Sequence, residues 1–567
     1  MDVVTKNLVA TFKVEELLPD DIAEDVIFEH FANYCVVSQN YGEEFDVDDI
    51  HTGGGNDLGL DGIAILVNGN LVSDVSEVDD LANLNKFLDV EFVFNQAKSS
   101  GNFDGASISS LFFGLKDLFS EKPKLPRNDN LQDANSTIDK IYAKSALFKK
   151  GNPKVKIYYV TTGKWENDSK LNSRIDIEVE GLMALNIFES VNFYPVDART
   201  IQNLYKRAKN KLSKSVLFSE KLTLPALEGI DESYLGYLSA DEYIKLITDD
   251  AGTIVRGLFY DNVRDFQGEN PVNHEIDETL QSDGRNLFVL LNNGITIVAD
   301  SLKKTGDTFT IEDYQIVNGC QTSHVLYNNK DKLTAGVKIP VKLIVSQNSE
   351  VKNKIIKATN RQTPVKTEEL TALTDFQKTL EDYYEAIQGD ERLYYERRSQ
   401  QFRATAGIEK IKIVSVSNQI RSFASMFLGL PHQASRYYGT LLKDIEKSIF
   451  VNGQPPAAYY ASAFALYRIE ALVRRKQVDR KYRPFRYHLI AAFRMIVMGT
   501  KMDAMNSNKF ERACKPLIDA ISDDKKSLAV FEDAIGILDG LLVGDYSRDK
   551  AKDANLYASF EKLIAAR

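Results

Sequence analysis

Four side chains in the first hundred residues have the types that phosphodiester chemistry needs. Asp61 follows Gly59-Leu60, Gln96 and Lys98 stand two apart, and Glu29 follows Phe28. Hard cations such as Mg2+ or Mn2+ take carboxylate and carbonyl oxygens. A positive group beside the attacking water, or beside charge developing on phosphorus, lowers the barrier. Asp61 is the expected central metal ligand, Glu29 an accessory carboxylate, and the Gln96 side-chain carbonyl or the Ala97 backbone carbonyl a further ligand. Lys98 would orient the water or stabilise the transition state. Two acids compete for these places. Asp57 is an alternative to Asp61 but reads better as a loop cap beside Asn56, and Glu24 is an alternative to Glu29.

The elements that must position these groups follow from periodicity. From Asp20 to about Ser38, Ile22, Val26, Phe31 and Cys35 recur at helical spacing, which puts Glu29 on a helix. The loop Gly53-Gly54-Gly55-Asn56-Asp57 leads into a strand, Leu60–Val67, closed by an Asn68-Gly69 turn. Asp89–Lys98 alternates, with Val90, Phe92 and Phe94 on one face and Glu91 and Asn95 on the other. Gln96 and Lys98 therefore share a face. Helices are expected over Phe103–Phe119 and from about Asn130 to Phe148. Strands are expected over Lys154–Thr162 and Ile187–Val196, then a helix from Ala198 to about Leu212. This is an α/β order. Residues 215–385 mix helices with β-rich runs such as Leu287–Ile297 and Val337–Ser346, and beyond Tyr395 the chain turns helical and basic.

Gly59-Leu60-Asp61-Gly62-Ile63 with Phe94-Asn95-Gln96-Ala97-Lys98 resembles the D…(E/Q)xK signature of restriction-endonuclease-like PD-(D/E)xK nucleases, in the style of type IV, Mrr-type enzymes with Phe-Glu in the first helix. Gln96 stands where most of that superfamily has Glu or Asp, which removes one negative charge from the site. Further on, Leu258–Gly268 (LFYDNVRDFQG), Leu291–Ile297 (LNNGITI), Ile316–Thr322 (IVNGCQT), Ala358–Val365 (ATNRQTPV) and Tyr394–Arg398 (YYERR) together resemble the abortive-infection phage resistance (AIPR) family. Arg264, Asn318, Gln321, Asn360 and Arg361 in these strings carry amide and guanidinium groups suited to phosphates or base edges. Arg397 and Arg398 follow two tyrosines, and adjacent residues face apart, so one of the pair is expected to act. No GxxxxGK[ST] string is present, which excludes a P-loop.

Net charge is −11 over 567 residues. Resolved along the chain, residues 1–100 hold 21 acids and 4 bases, whereas residues 401–500 hold 16 bases and 5 acids. The densest basic run, Arg474-Arg475-Lys476 through Arg486, interleaves Tyr482 and Phe485 and is the pattern of a nucleic-acid backbone contact. Three scattered cysteines give neither a disulfide framework nor a zinc site. No secretory signal and no membrane span is seen, so a cytoplasmic protein is expected.

The expected architecture is a restriction-endonuclease-like α/β domain at 1–214, an α+β central domain at 215–385 and a helical, basic domain at 386–567. The expected function is a Mg2+- or Mn2+-dependent DNA endonuclease of antiphage defence, RNA not being excluded as substrate. It would act as a homodimer or larger assembly, with room for a defence-system partner protein. The alternative is a catalytically inactive nucleic-acid or nucleotide sensor, or a scaffold.

Overall fold

The structure is a computed structural model. It describes the chain except residues 43, 150, 210–212, 249–251, 253, 260–270, 334–335, 349–350, 353, 356–357, 359–374, 398–400, 403–404, 406, 435–440, 442–444, 446, 452 and 567. The chain forms two compact units. One comprises Met1–Val37, Glu44–Tyr205 and Ala372–Arg567, the other Ser38–Glu43 and Lys206–Thr371. The breaks between the two units fall near 206 and 371. The first and third expected segments, however, make one unit.

That first unit is built on a five-stranded sheet of order β2-β1-β3-β4-β5, with β1 Gly62–Val67, β2 Asn70–Val72, β3 Val90–Lys98, β4 Lys154–Thr161 and β5 Ser190–Val196. β1 runs antiparallel to β2 and β3, while β3, β4 and β5 are parallel. Asn68 and Gly69 both take positive φ (51° and 83°), which makes the tight β1–β2 hairpin that Asn-Gly favours. The helices are α1 Val3–Glu15, α2 Glu24–Asn40, α3 Val75–Asn85, α4 Gly105–Leu118, α5 Asp129–Tyr142, α6 Ser169–Met183 and α7 Ala198–Lys209.

One sheet face carries Ile63, Ile65, Phe92, Phe94 and Ile157, packed with Ile108, Leu111 and Leu115 of α4, Ile138 of α5 and Ile175 of α6. Phe92 and Phe94 are fully buried, and each such side chain contributes about 1.5–3 kcal/mol. α2 meets the other face, where Asn33 Oδ1 accepts from Asn95 Nδ2 at 2.8 Å. Along β3 the side chains alternate between the two faces, and both faces are buried from Phe92 to Ala97.

The same unit continues from Asp375 as a helical body. Its helices are Asp375–Ala386, Val416–Phe427, Pro456–Arg474, Arg486–Met498, Asn508–Ser522, Asp524–Leu542 and Ala554–Ala565. They share one core in which Phe423 stacks on Tyr459 (ring centroids 4.0 Å) and Phe493 meets Phe531 (4.8 Å).

Acidic residues from the start of the chain pair with basic residues from this helical body. Arg474 Nη2 and Arg483 Nη2 donate to Asp46 Oδ2 at 2.9 and 2.6 Å, and Arg483 Nη1 lies 3.1 Å from Asp49 Oδ1. Arg474 also donates to the Glu16 backbone carbonyl. Lys410 Nζ sits 2.9 Å from Glu16 Oε1, and Lys552 Nζ 2.6 Å from Asp74 Oδ1. Burial alone would raise the Asp46 carboxyl. The Arg474 and Arg483 guanidiniums more than offset that and hold it well below the usual carboxylate range.

The second unit holds a six-stranded sheet of order β6-β10-β9-β11-β8-β7: β6 Ser213–Leu217, β7 Glu220–Thr223, β8 Glu232–Ser239, β9 Ile295–Thr305, β10 Thr308–Asn318 and β11 Lys338–Val345. Among the described strands only the β9–β11 pairing is parallel. The expected run Leu287–Ile297 splits, because Phe288–Leu291 is helical and the strand begins at Ile295. Among the described residues no helix is long and apolar enough to cross a membrane.

Candidate functional site

The β1–β3 register ends at the pair Gly62–Asn95, and the Asp61 N–H just before β1 donates to the Asn95 carbonyl at 2.9 Å, which sets Asp61 beside the Asn95–Ala97 stretch of β3. Gln96 in turn pairs with Tyr159 of β4, and Lys98 with Thr161. Asp61, Gln96 and Lys98 therefore line one end of the sheet, beyond the apolar rows Ile63–Phe94 and Ile65–Phe92. That end is the carboxyl end of the parallel strands β3 and β4, where open α/β sheets place their ligands.

Asp61 is 4% exposed, and its Oδ2 accepts from the Ala97 backbone N–H at 2.7 Å. Burial, reinforced by the negative charge of Glu29, pushes its carboxyl up to about 7, against the opposing pull of the Ala97 bond and of Lys98. The Asp61 backbone is pinned from α2, where Asn33 Nδ2 donates to its carbonyl at 2.8 Å. Gln96 is equally buried (4%), and among the described residues its Oε1 has no hydrogen-bond partner. An orphaned buried carbonyl is costly. A cation bound between it and Asp61 would satisfy it. Lys98 is half-buried and, among the described residues, has no ion-pair partner.

Glu29 lies one turn before Asn33 on α2. Its Oε2 is 2.8 Å from His51 Nε2, and the His51 ring lies against that of His30 (centroids 4.3 Å). Burial pushes His30 down to about 4, with the His51 ring adding to the effect. A Cβ at Gly53 would sit 2.5 Å from Glu29 Oε2 and 2.9 Å from His51 Nε2, so the glycine keeps the loop backbone close over this pair.

The structure brings Asp61, Gln96, Lys98 and the field of Glu29 together. Asp57 takes the capping role: its Oδ1 accepts from the Gly59 N–H at 2.8 Å and its Oδ2 from Gly55 at 3.3 Å. His51, which carries no metal-ligand spacing in the sequence, holds Glu29. Its one mark in the sequence is that it opens the Gly-rich loop. Among the described residues no group of three or more His, Cys, Asp and Glu side chains gathers to hold a metal ion. The oxygen set at this sheet end is two carboxylates and one amide carbonyl, a hard set suited to Mg2+ or Mn2+ and unsuited to zinc.

The basic residues fare differently. Arg474 is buried and committed to Asp46 and Glu16, which corrects its reading as a phosphate contact. Lys476 is exposed but paired to Asp21 at 2.6 Å, and Arg475 is exposed. Arg397 Nε donates to Glu381 Oε2 at 2.8 Å and its side chain is 7% exposed, so it too is turned inward. Asn318 ends β10 and Gln321 stands in the first turn of the following helix, Cys320–Asn328, both half-buried. Arg264, Asn360, Arg361 and Arg398 lie outside the described residues.

The arrangement is a mixed α/β unit with two carboxylates and a buried amide carbonyl near one sheet end. Residues 259–529 match the family described as AIPR protein, in agreement with the resemblance carried by the strings in that stretch. The match begins well after the Asp61 site. No curated protein and no solved structure matches the chain.

Proposed function

We propose that the protein is a metal-dependent DNA endonuclease of abortive-infection phage defence, with a restriction-endonuclease-like N-terminal region. The observation that carries this reading is Asp61, just before β1, held on the Ala97 N–H beside Gln96 and Lys98 of β3, so that a near-neutral buried carboxyl and an orphaned carbonyl lie at one sheet end. Asp61, Gln96 and Glu29 would hold Mg2+ or Mn2+. The bound ion would supply Lewis-acid polarisation of a phosphoryl oxygen and acidify a water. The Ala97 N–H fixes the Asp61 carboxylate, and the Lys98 ammonium offers its charge to the phosphate oxygens. The match to AIPR protein over 259–529 supports the role in defence. Two cuts in a duplex call for two sites, so a homodimer or larger assembly on DNA in the cytoplasm completes the reading.

The test is cleavage of plasmid, linear duplex and single-stranded DNA, with RNA alongside, by the purified full chain with Mg2+ or Mn2+. Asp61→Ala and Lys98→Ala should each lower the rate by at least about 100-fold. Undiminished cleavage by either variant, or intact DNA with both metals, rejects the reading. One observation favours a second reading, a non-catalytic sensor: Gln96 leaves only two carboxylates at the site. Under it, DNA binding persists in EDTA and Lys98→Ala changes little.

A further inference from the structure

The acidic turn that precedes β1 is held from the far end of the chain. Asp46 caps the turn Val47–Asp49, its Oδ1 accepting from the Asp48 N–H at 2.9 Å, while its Oδ2 takes both Arg474 and Arg483. Arg483 spans the turn, reaching Asp46 with one nitrogen and Asp49 with the other. Glu470 backs it at 3.6 Å. Val47 and Ile50 are buried, and the Ile63 N–H of β1 donates to the Ile50 carbonyl at 2.9 Å. The next residue is His51, whose N–H donates to the Val47 carbonyl at 3.2 Å and whose Nε2 meets Glu29. A short path of contacts thus runs from Arg483 through the Asp46–Asp49 turn and its Val47 carbonyl to His51 and the Glu29 carboxylate.

We propose that Arg483, together with Arg474, is a positioning residue of the cation site: the C-terminal helical body fixes the Asp46–His51 turn, and His51 fixes the Glu29 carboxylate in place for the ion. The inference rests on the reading of Asp61, Gln96 and Glu29 as cation ligands. Partners that orient a ligating carboxylate set metal affinity as well as geometry. A guanidinium bridging two carboxylates is more sharply directional than an ammonium in the same place.

The experiment is calorimetric titration of the DNA-free full chain with Mn2+, with folding followed by circular dichroism. Wild type should bind Mn2+, and Asp61→Ala should abolish the binding. Arg483→Met and Asp49→Asn should each weaken it about tenfold. Arg483→Lys should recover part of the loss, and Lys515→Ala, in an exposed pair far along the chain, should change nothing. If folded Arg483→Met and Asp49→Asn bind Mn2+ as tightly as wild type while Asp61→Ala does not, the positioning role is overturned and the site stands. If wild type takes no Mn2+, or Asp61→Ala binds it equally well, the site itself fails and the inference falls with it. Should Arg483→Met not fold, Asp49→Asn decides, because it leaves the Asp46 pairs in place.

Discussion

At the scale of single residues, Asp61 carries an energetic conflict. Its carboxyl titrates near 7 in the folded chain, against 3.8 for the free side chain. Between those values the native state holds more protons than the unfolded state, so stability falls as pH rises through that window. Above about pH 7 the full penalty of a buried carboxylate is present. Asp61→Asn keeps an acceptor for the Ala97 N–H and removes the charge. We expect it to stabilise the metal-free protein at pH 8 by on the order of 1–4 kcal/mol and to change little at pH 4. Saturating Mn2+ should raise the melting temperature of wild type and leave that of the variant unmoved. Parallel pH dependences of Tm for the two proteins would contradict the assignment. The conflict is itself informative, because a carboxyl retained at that cost fits a group that a cation relieves.

At the scale of elements, β1, β3 and α2 meet at one crowded point. A Cβ at Gly62 would sit 1.9 Å from Asn33 Oδ1, the atom that accepts from Asn95 while Nδ2 of the same amide holds the Asp61 carbonyl. Gly62→Ala should therefore push α2 off the sheet and cost about 2–4 kcal/mol, as overpacking and a lost buried hydrogen bond combine. Chemical denaturation reads this directly, and a loss below about 0.5 kcal/mol would show that the contact relaxes freely. This part of the fold was legible in sequence because Val90, Phe92 and Phe94 recur at every second position, with Glu91 and Asn95 between them. α2 was legible from its helical spacing. The Phe288–Leu291 helix was not: four consecutive apolar residues carry no period, so the run reads equally as strand. β2 and α3 were missed because a three-residue strand and an acidic helix with four buried residues give little apolar signal. At the site, Gln96 and Lys98 could be found because they lie on β3, and Asp61 because it immediately precedes β1. The Glu29–His51 contact could not, because nothing in the spacing from 29 to 51 says that the fold closes it.

At the scale of the molecule, the charge split along the sequence acquires a different meaning. The acidic first hundred residues and the basic stretch after 400 face one another within one unit, through Asp46, Glu16 and Asp74 on one side and Arg474, Lys410 and Lys552 on the other. A linear count of charges could show that two complementary segments exist, but not that each is the other's partner. Breaking such a buried pair leaves an uncompensated ion. Arg474→Ala should thus cost about 3–5 kcal/mol of stability, measured by denaturant titration. The same pairing implies that the two ends of the chain unfold together. Trp165, the single tryptophan, packs edge-on to Phe103 at 4.7 Å in the N-terminal stretch and reports on that stretch alone. Phe493 is fully buried in the C-terminal helical core, and Phe493→Ala should remove about 3–5 kcal/mol there. If the unit is cooperative, the Trp165 fluorescence transition moves to lower denaturant by the same amount as the helical signal in circular dichroism. A Trp165 midpoint that stays at its wild-type value while the helical signal shifts would show that the ion pairs join two bodies that unfold independently.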